Sequence, residues 1–361
     1  MRFGLTIAAV EPVAQIARYA QVAEEAGFET IWLSPSGPWF KDSLVYLAAM
    51  ASQTKKIGLG LMATTPYERN AGTLAAEMLT LNELSDGRAK LAVAIGVEQK
   101  LKALGIDPKL PLTAMRETVE VIKSLSTGET VTYQGKVVKL EGLKFPWAKP
   151  FPVYVAGSSQ RTLEMAGEVS DGAMIAHFPA SYTKWAGELM WAAAERKGRN
   201  RKDVELLVQA MTVLSQDRDE ALKRIKAVKI DPLRPKSFLF FLGPALWASK
   251  ESKVLERSGF DPQEIQMLER EDEYLKSFES GKGDMSRLDS AIPTSLEEKI
   301  CKTLAVAGNG DDCLKRVKDW ESTGISEFLP GFWGYETRSE STLGGIESFK
   351  REIIPQFRNV A

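Results

Sequence analysis

A glycine and two serines stand where a short apolar strand gives way to a helix. Val153–Ala156 reads as the strand, Gly157, Ser158 and Ser159 follow it, and apolar residues at helical spacing come next. The first N–H groups of a helix lack partners within the helix, and the helix dipole adds partial positive charge. The loop therefore suits an anion of phosphate size. Taken alone, the serines are typical of a plain helix cap; in a barrel we favour a phosphate role.

Acid–base chemistry has few candidates in this chain. His177 is the single histidine and follows a predicted strand, although a lone histidine is more often structural. Glu11, Glu98 and Gln99 lie in predicted loops at the same strand ends. Most loop carboxylates are solvated, but a buried one can hold a proton at neutral pH. We rank Glu98 first because it follows Gly96 closely, and we take Glu98 and His177 as catalytic candidates.

Three aromatic residues also fall in predicted loops at this end of the fold. They are Trp39, Tyr67 and Trp333. Aromatic side chains in loops can be simple packing anchors. Three of them around one opening would also suit a flat, partly apolar substrate.

Composition excludes several classes of function. The 361 residues carry 47 basic and 48 acidic side chains without a basic stripe, so nucleic acid is not an expected partner. One histidine and two cysteines provide no metal site and no disulfide framework. The first residues read as a strand and not as a secretory signal, and no apolar run reaches membrane-spanning length. We expect a cytoplasmic protein with no membrane partner.

Strands and helices alternate along the chain, beginning with Arg2–Ala8 and a helix from about residue 12 to 26. Near-continuous apolar strands separated by helices predict a parallel sheet covered on both faces. Eight such units favour a closed (β/α)8 TIM barrel of the α/β class over an open sheet. No G-x-G-x-x-G motif follows strand one, which argues against a dinucleotide-binding fold. The predicted strands are 2–8, 30–33, 57–62, 88–95, 153–156, 173–176, 204–214 and 325–329.

Two segments interrupt the alternation. Residues 130–140 alternate around Gln134-Gly135, which predicts a hairpin insertion before strand five. Residues 231–295 are mixed and aromatic in part, and we predict a helical insertion after strand seven that covers the barrel mouth. Neither has the composition of a linker, so we expect one domain spanning residues 1–361.

Several stretches together resemble the luciferase-like superfamily of flavin- and deazaflavin-dependent oxidoreductases. Thr65–Glu98 is similar to the segment that joins strand three to the loop after strand four, and GRAKL within it is among the most specific pieces. YQGKVVKL resembles the hairpin, and the stretch from Pro152 to Ile175, with AGEVSDGA, resembles the strand-five unit. Within the superfamily the chain is most similar to the methylenetetrahydromethanopterin reductases.

The resemblance implies an isoalloxazine-like ring at the carboxyl ends of the barrel strands, with its phosphate by the glycine–serine loop. It also implies a cis peptide bond, not involving proline, at about Met62–Ala63. No metal is implied. The expected cofactor-binding residues are Ser34, Met62, Ala63, Ala94, Ile95, Gly96, Gly157, Ser158 and Ser159.

The implied function is an oxidoreductase that binds coenzyme F420 non-covalently and transfers a hydride to or from an organic substrate. Two departures leave that substrate open: Thr6 replaces a glutamate of the reductases, and Ser34-Pro35 replaces an acidic residue and a histidine. One alternative is a luciferase-like monooxygenase that uses FMN. A second is a barrel that binds flavin without catalysis. The resemblance also implies a homodimer.

Overall fold

The computed structural model describes residues 1–34, 40–227, 246, 250, 252–279, 292–332 and 338–357. The chain forms two compact units. The first comprises Met1–Ile175 and Gly187–Leu207, and the second comprises Ala176–Ala186 and Val208–Ala361.

The described part of the chain contains eleven strands and thirteen α-helices. The strands are β1 (Arg2–Ile7), β2 (Thr30–Leu33), β3 (Gly58–Thr64), β4 (Ala89–Val93), β5 (Val131–Gln134), β6 (Lys139–Leu143), β7 (Val153–Ala156), β8 (Gly172–Ala176), β9 (Glu205–Leu214), β10 (Val306–Gly308) and β11 (Glu327–Gly331). The helices are α1 (Val13–Ala26), α2 (Ser43–Gln53), α3 (Ala71–Leu84), α4 (Glu98–Ala103), α5 (Pro111–Ser126), α6 (Gln160–Val169), α7 (Ala180–Arg196), α8 (Arg218–Ala227), α9 (Val254–Arg257), α10 (Pro262–Glu279), α11 (Thr294–Leu304), α12 (Gly310–Glu321) and α13 (Arg338–Glu352).

The main sheet has the strand order β10-β9-β11-β1-β2-β3-β4-β7-β8, and β9 also pairs with β8. Apart from β10 at the edge, this order closes on itself through eight strands. The neighbours from β1 to β4, then β7 and β8, run parallel. The fold is therefore the (β/α)8 barrel that the alternating pattern predicts.

Local sequence explains where the helices of the first unit begin and end. Gly27 ends α1 with φ at 88°, a left-handed conformation that glycine adopts without steric cost. Asp42 caps α2 by accepting from the N–H groups of Leu44 and Val45. Asn70 caps α3 in the same way through the N–H of Thr73.

Arg88, in the GRAKL stretch, holds the amino end of β4 in place. Its guanidinium donates to the backbone carbonyls of Ser85, Ile57, Ala51 and Thr54 and to the hydroxyl of Thr54, at 2.6–3.1 Å. Burial lowers its pKa, but the guanidinium stays charged because its ordinary pKa is so high. Arg88 therefore has a structural role at this edge.

The predicted hairpin is present as the antiparallel pair β5 and β6. Glu117 of α5 fastens its turn, since the carboxylate accepts from the backbone N–H groups of Lys136, Val137 and Val138, each at 2.8 Å. These bonds lower the pKa of Glu117 and more than offset the effect of its burial. A Cβ at Gly135 would lie 2.4 Å from the same carboxylate, so only glycine fits there.

The core of the first unit contains a contact between two large aromatic side chains, Trp32 and Tyr154. Trp32 is fully buried and its ring meets that of Tyr154 edge-on, with centroids 5.7 Å apart. A Cβ at Gly60, the register partner of Trp32 on β3, would lie 2.1 Å from the indole. Glycine at this position therefore makes room for the tryptophan.

In the second unit, Asn309 and Asp312 form a capping box at the start of α12. Cys301 of α11 and Cys313 of α12 are free and buried, and burial raises the pKa of each thiol to about 12. No disulfide joins them, in agreement with the sequence prediction.

Several predicted boundaries are wrong by a few residues, mostly where strands end in loops. Strand four ends at Val93 and not at residue 95, because the chain enters a loop in which Gly96 has a positive φ. Strand eight begins at Glu327, two residues later than predicted. The described residues of the 231–295 insertion include α9 and α10, so helix is present there. Its aromatic run 238–241 lies outside the described residues, and its role as a cover remains a prediction.

Candidate functional site

The carboxyl ends of four neighbouring parallel strands in the first unit bring the predicted cofactor residues to one edge of the sheet. In register, Leu33 of β2 pairs with Leu61 of β3, Thr64 with Val93 of β4, and Val93 with Val155 of β7. The predicted residues therefore occupy consecutive strand ends: Ser34 after β2, Met62 and Ala63 within the end of β3, Ala94, Ile95 and Gly96 after β4, and Gly157, Ser158 and Ser159 after β7.

The peptide bond between Met62 and Ala63 is cis, at the position that the resemblance implies. The register between β3 and β4 shifts between Leu61 and Thr64, so the sheet is irregular at this point.

The glycine–serine loop begins α6. The hydroxyl oxygen of Ser159 caps the helix by accepting from the N–H of Thr162 at 3.0 Å, as the plain-cap interpretation requires. The N–H of Gly157 donates to the carbonyl of Met174 at 3.1 Å. A Cβ at Gly157 would lie 2.7 Å from Cγ2 of Thr162, so the glycine keeps a small cradle open in front of the helix.

The loop after β4 also depends on a glycine. Gly96 has φ at 93°, where L side chains are strained, and a Cβ there would lie 3.1 Å from Leu101. The N–H of Ala94 donates to the carbonyl of Thr64 at 2.8 Å, which ties this loop to the end of β3. Ile95 and Val97 are 45% and 54% exposed, so the loop offers apolar surface for a ligand.

One buried hydroxyl at this edge has no hydrogen-bond partner. Thr64, the last residue of β3, is 1% exposed, yet its Oγ1 makes no hydrogen bond within the described structure. Buried polar atoms are normally satisfied, so such an atom at a strand end fits a group supplied by a ligand. Together with the cradle at Gly157 and the backbone turn at Gly96, it makes this edge a fitting site for a ring cofactor with a phosphate.

The carboxylates at this edge differ from the sequence expectation. Glu98 occupies the first turn of α4 and is exposed, so the burial that a proton donor needs is absent there. Glu11 accepts from the hydroxyl of Tyr19 at 2.7 Å. The side chain of Gln99 lies outside the part of the chain that the structure describes.

Sequence reasoning missed a buried ion pair two residues beyond Glu98. The side chains of Glu68 and Lys100 are 9% and 7% exposed, and Nζ of Lys100 lies 2.8 Å from Oε1 of Glu68. The contact has the distance of an ion pair without the alignment of a hydrogen bond. It joins the loop after β3 to α4, beside Gly96. The local sequence signals neither partner, because a charged residue before or within a short helix is usually solvated.

Of the three loop aromatics, Tyr67 is the one that the structure describes. Its hydroxyl donates to the carbonyl of Lys109 at 2.8 Å, and burial raises its pKa. It thus connects two loops at the same edge. Trp39 and Trp333 lie outside the described residues.

His177 belongs to the second unit and follows the end of β8. It is 5% exposed, has φ at 63°, and its backbone N–H donates to the carbonyl of Gln209 at 2.8 Å. Burial lowers the pKa of its imidazole to about 3, so the ring is neutral at pH 7. A neutral imidazole can exchange hydrogen bonds with a ligand but carries no surplus proton.

Metal ligands and membrane-spanning helices can be assessed over the part of the chain that the structure describes. Within it, no cluster of histidine, cysteine and carboxylate side chains could hold a metal ion. None of its helices combines the length and the apolar character needed to cross a bilayer.

Comparison with known proteins shows the family to which the chain belongs. Residues 1–327 match the family model for luciferase-like monooxygenases, and the chain belongs to that family. It is 31% identical to a 5,10-methylenetetrahydromethanopterin reductase of Methanolobus tindarius over 338 residues, which cover 92% of this chain and 94% of that one. It is also 27% identical to an F420-dependent glucose-6-phosphate dehydrogenase of Nakamurella multipartita, covering 74% and 78% of the two chains.

Among solved structures, the F420-dependent tetrahydromethanopterin reductase of Methanopyrus kandleri superposes with a TM-score of 0.79 at 23% identity, over 99% of both chains. At this identity the superposition establishes the fold, and it confirms the barrel.

Proposed function

We propose that this protein is an oxidoreductase that binds coenzyme F420 at the carboxyl-end edge of β2, β3, β4 and β7 and transfers a hydride to or from an organic substrate. The observation that carries the proposal is the alignment of the predicted cofactor residues at four consecutive strand ends, next to the unsatisfied hydroxyl of Thr64. The F420-dependent glucose-6-phosphate dehydrogenase and the F420-dependent tetrahydromethanopterin reductase to which this chain is similar support the choice of cofactor.

The residues divide into two binding roles. Gly157, Ser158 and Ser159 receive the phosphate, where the start of α6 supplies the positive end of the helix dipole. Met62–Ala63 and Ala94–Gly96 line the ring. When bound, F420 supplies the hydride chemistry at its ring, and the protein supplies orientation and electrostatics.

The catalytic roles of Glu98 and His177 are part of the same proposal. The neutral imidazole of His177 is suited to orienting a polar group by hydrogen bonding. Glu98, which is exposed on α4, can exchange a proton with substrate or water only if ligand binding covers it.

The substrate class stays open. Thr6 and Ser34 are buried. The resemblance implies a glutamate of the methanopterin reductases in place of Thr6, and an acidic residue and a histidine in place of Ser34-Pro35. The hydroxyl of Ser34 donates to the carbonyl of Ile7 at 3.4 Å, so it serves the backbone of the neighbouring strand. A substrate that needs a charged contact at this position is not favoured.

A second candidate is a monooxygenase that uses reduced FMN and dioxygen. The description of the matching family, luciferase-like monooxygenase, favours it. The third interpretation, a barrel that binds a flavin without catalysis, is supported by the exposure of Glu98.

The decisive experiment titrates the purified, cofactor-free protein with F420 and, in parallel, with FMN, following the fluorescence of each ligand. We expect saturable binding of one F420 per chain and much weaker binding of FMN. Tighter binding of FMN would replace the proposal with the monooxygenase, and binding of neither would end both.

Catalysis is tested separately by anaerobic hydride transfer between F420 and a panel of alcohols, sugar phosphates and pterins. Glu98→Gln and His177→Gln should lower kcat without changing the affinity for F420, whereas Glu83→Gln on α3 serves as the matched control. A protein that binds F420 and reacts with nothing would support the binding-only interpretation. Light scattering of the same sample tests the predicted homodimer.

A further inference from the structure

The second unit contains a cavity that none of the roles above uses. Its volume is about 660 Å³, which falls within the range of small-molecule sites. Its walls come from the start of α7, the end of α9, the length of α11 and the end of α12. All of its lining residues belong to this unit.

Positive charge dominates the wall. Five basic side chains line the cavity against two carboxylates, Glu298 and Asp319. The basic residues are Lys184, Arg257, Lys299, Lys302 and Arg316. They come from four different helices or their flanks, so they converge on the space and do not form a stripe along one helix face.

Neighbouring carboxylates neutralise only part of this charge. Lys299 pairs with Glu264 at 2.6 Å, and Lys302 approaches Glu298 at 3.6 Å, one turn earlier on α11. Within the described residues, Lys184 and Arg257 form no ion pair. Such unbalanced positive charge at a concave surface attracts anions.

Arg316 is the most informative of the five. One of its terminal nitrogens donates to the carbonyl of Thr303 at 2.6 Å, and its guanidinium lies 5.1 Å from the ring centre of Trp320. Its Nε is buried and has no hydrogen-bond partner within the described structure, and burial lowers its pKa. Arg316 is one of the residues that line the cavity, so its partly desolvated guanidinium adds to the positive charge of the wall.

Two helix starts also face the cavity. Ala180 and Ser181 open α7, and Ser295 lies in the first turn of α11. Pro179 and Pro293 precede these helices, and a proline side chain offers no oxygen to cap the first N–H groups. Both helices therefore bring the positive ends of their dipoles to the same space, and no side chain caps the start of α11.

We infer that this cavity is a binding site for a phosphorylated small molecule, separate from the cofactor site. The guanidinium of Arg316 and the two helix starts receive the phosphate oxygens, and Lys184 and Arg257 complete the charge balance. No side chain among the described lining residues is aromatic, so nothing there would stack on a nucleobase. An aliphatic phosphate ester fits the site better than a nucleotide.

The test is isothermal titration of the full chain with pyrophosphate at low ionic strength. The variants are Lys184→Gln and Arg257→Gln, whose side chains are exposed and form no ion pair in the described structure, so we expect both variants to fold. Lys315→Gln, on the exposed side of α12 and outside the cavity, is the matched control. Loss of one charged contact should weaken binding about tenfold or more.

Because pyrophosphate could also enter the proposed cofactor loop, Gly157→Asp is titrated in the same series. Weaker binding in both cavity variants, with Lys315→Gln and Gly157→Asp unchanged, supports the site. Absence of binding by the native protein, equal affinity in all variants, or a loss confined to Gly157→Asp would overturn it. Affinity for F420 should be unchanged in Lys184→Gln, which keeps this result independent of the proposed function.

Discussion

The two edges of the sheet in the first unit differ in how their polar groups are satisfied. At the amino ends of the strands, Arg88 donates to four residues, Glu24 accepts from the backbone N–H groups before β3, and Asp171 accepts from Val153. At the carboxyl ends, Thr64 has an orphaned hydroxyl, and Ile95 is exposed. At the amino-end edge these polar groups form their hydrogen bonds within the protein, whereas at the carboxyl-end edge a buried hydroxyl and an exposed apolar side chain are available to a ligand.

The contrast follows the general division of labour in barrels, in which one end carries stability and the other carries chemistry. The side chains at the amino edge form hydrogen bonds with backbone groups at or just before the start of the strands, which no neighbouring strand pairs. Loss of these hydrogen bonds should lower the free energy of unfolding. Changes at the carboxyl edge should act mainly on ligand affinity. The Glu68–Lys100 pair is the exception, because it is a buried ion pair within the protein at the ligand edge.

The largest effect should come from Lys100→Met. It leaves the carboxylate of Glu68 buried without its counter-charge, and breaking one side of a buried pair costs about 3–5 kcal/mol. The free energy of unfolding from denaturant titration should fall by this amount, and F420 affinity should also fall because α4 loosens beside Gly96. The double variant Glu68→Gln/Lys100→Met, which buries no charge, should recover part of the loss. If Lys100→Met is as stable as the native protein, the pair has no structural role.

Arg88→Ala should be next and should affect stability alone. It removes the donors to four residues and leaves buried carbonyls unpaired, so we expect a loss of about 3 kcal/mol. Arg88→Lys retains the charge but loses the forked geometry and should recover only a minor part. Affinity of the folded variant for F420 should match that of the native protein. A weaker affinity would break the division between the two edges.

The pH dependence of stability tests a further residue at a strand end, His177 after β8. Its folded-state pKa of about 3 lies below the ordinary value of 6.5, so between these values the unfolded chain binds a proton that the native protein does not. Stability due to this group is present above pH 6.5 and is lost as pH falls, by about 1.4 kcal/mol per pH unit. His177→Gln should flatten the stability curve between pH 6.5 and pH 4.5. Equal slopes would show that the imidazole is accessible to protons.

Gly157→Asp should have the smallest effect on folding and a clear one on binding. It sets a carboxylate at the place proposed for the phosphate, so F420 affinity should fall about tenfold, or about 1.4 kcal/mol. Gly157→Ala separates shape from charge, since its Cβ also meets Thr162 but adds no carboxylate. We expect the alanine variant to lose much less affinity. Equal losses of F420 affinity in the two variants would mean that the size of the side chain at residue 157 matters and its charge does not.

Much of this architecture is predictable from the sequence. The strands Thr30–Leu33 and Val153–Ala156 and the helix Ala71–Leu84 agree with the structure at both ends. Each is a clear apolar run or period bounded by a turn or a cap. The hairpin is present as well, because alternation around Gln134-Gly135 is a strong local signal, although its second strand continues to Leu143, three residues beyond the predicted end.

The features that were missed depend on contacts between distant residues. Helix α4 is short and follows a loop that contains Gly96, so it has too few residues to show a helical period of apolar side chains. The position of Glu98 in the sequence favours it as a catalytic candidate, but Lys100 is the residue that is buried. Its ion-pair partner, Glu68, lies 32 residues earlier in the chain. Likewise, the orphaned hydroxyl of Thr64 depends on what surrounds it, and a threonine at the end of a strand carries no such mark in the sequence.

The two thiols have a practical consequence. The chain has only two cysteines, and both Cys301 and Cys313 are buried with the pKa raised to about 12, so maleimides should leave them untouched in the native state. The native cysteines should therefore not interfere with labelling of a cysteine introduced elsewhere. A fluorophore placed on an Ile95→Cys variant, and another on a Ser258→Cys variant, would report occupancy at each region separately, in real time and without cross-talk.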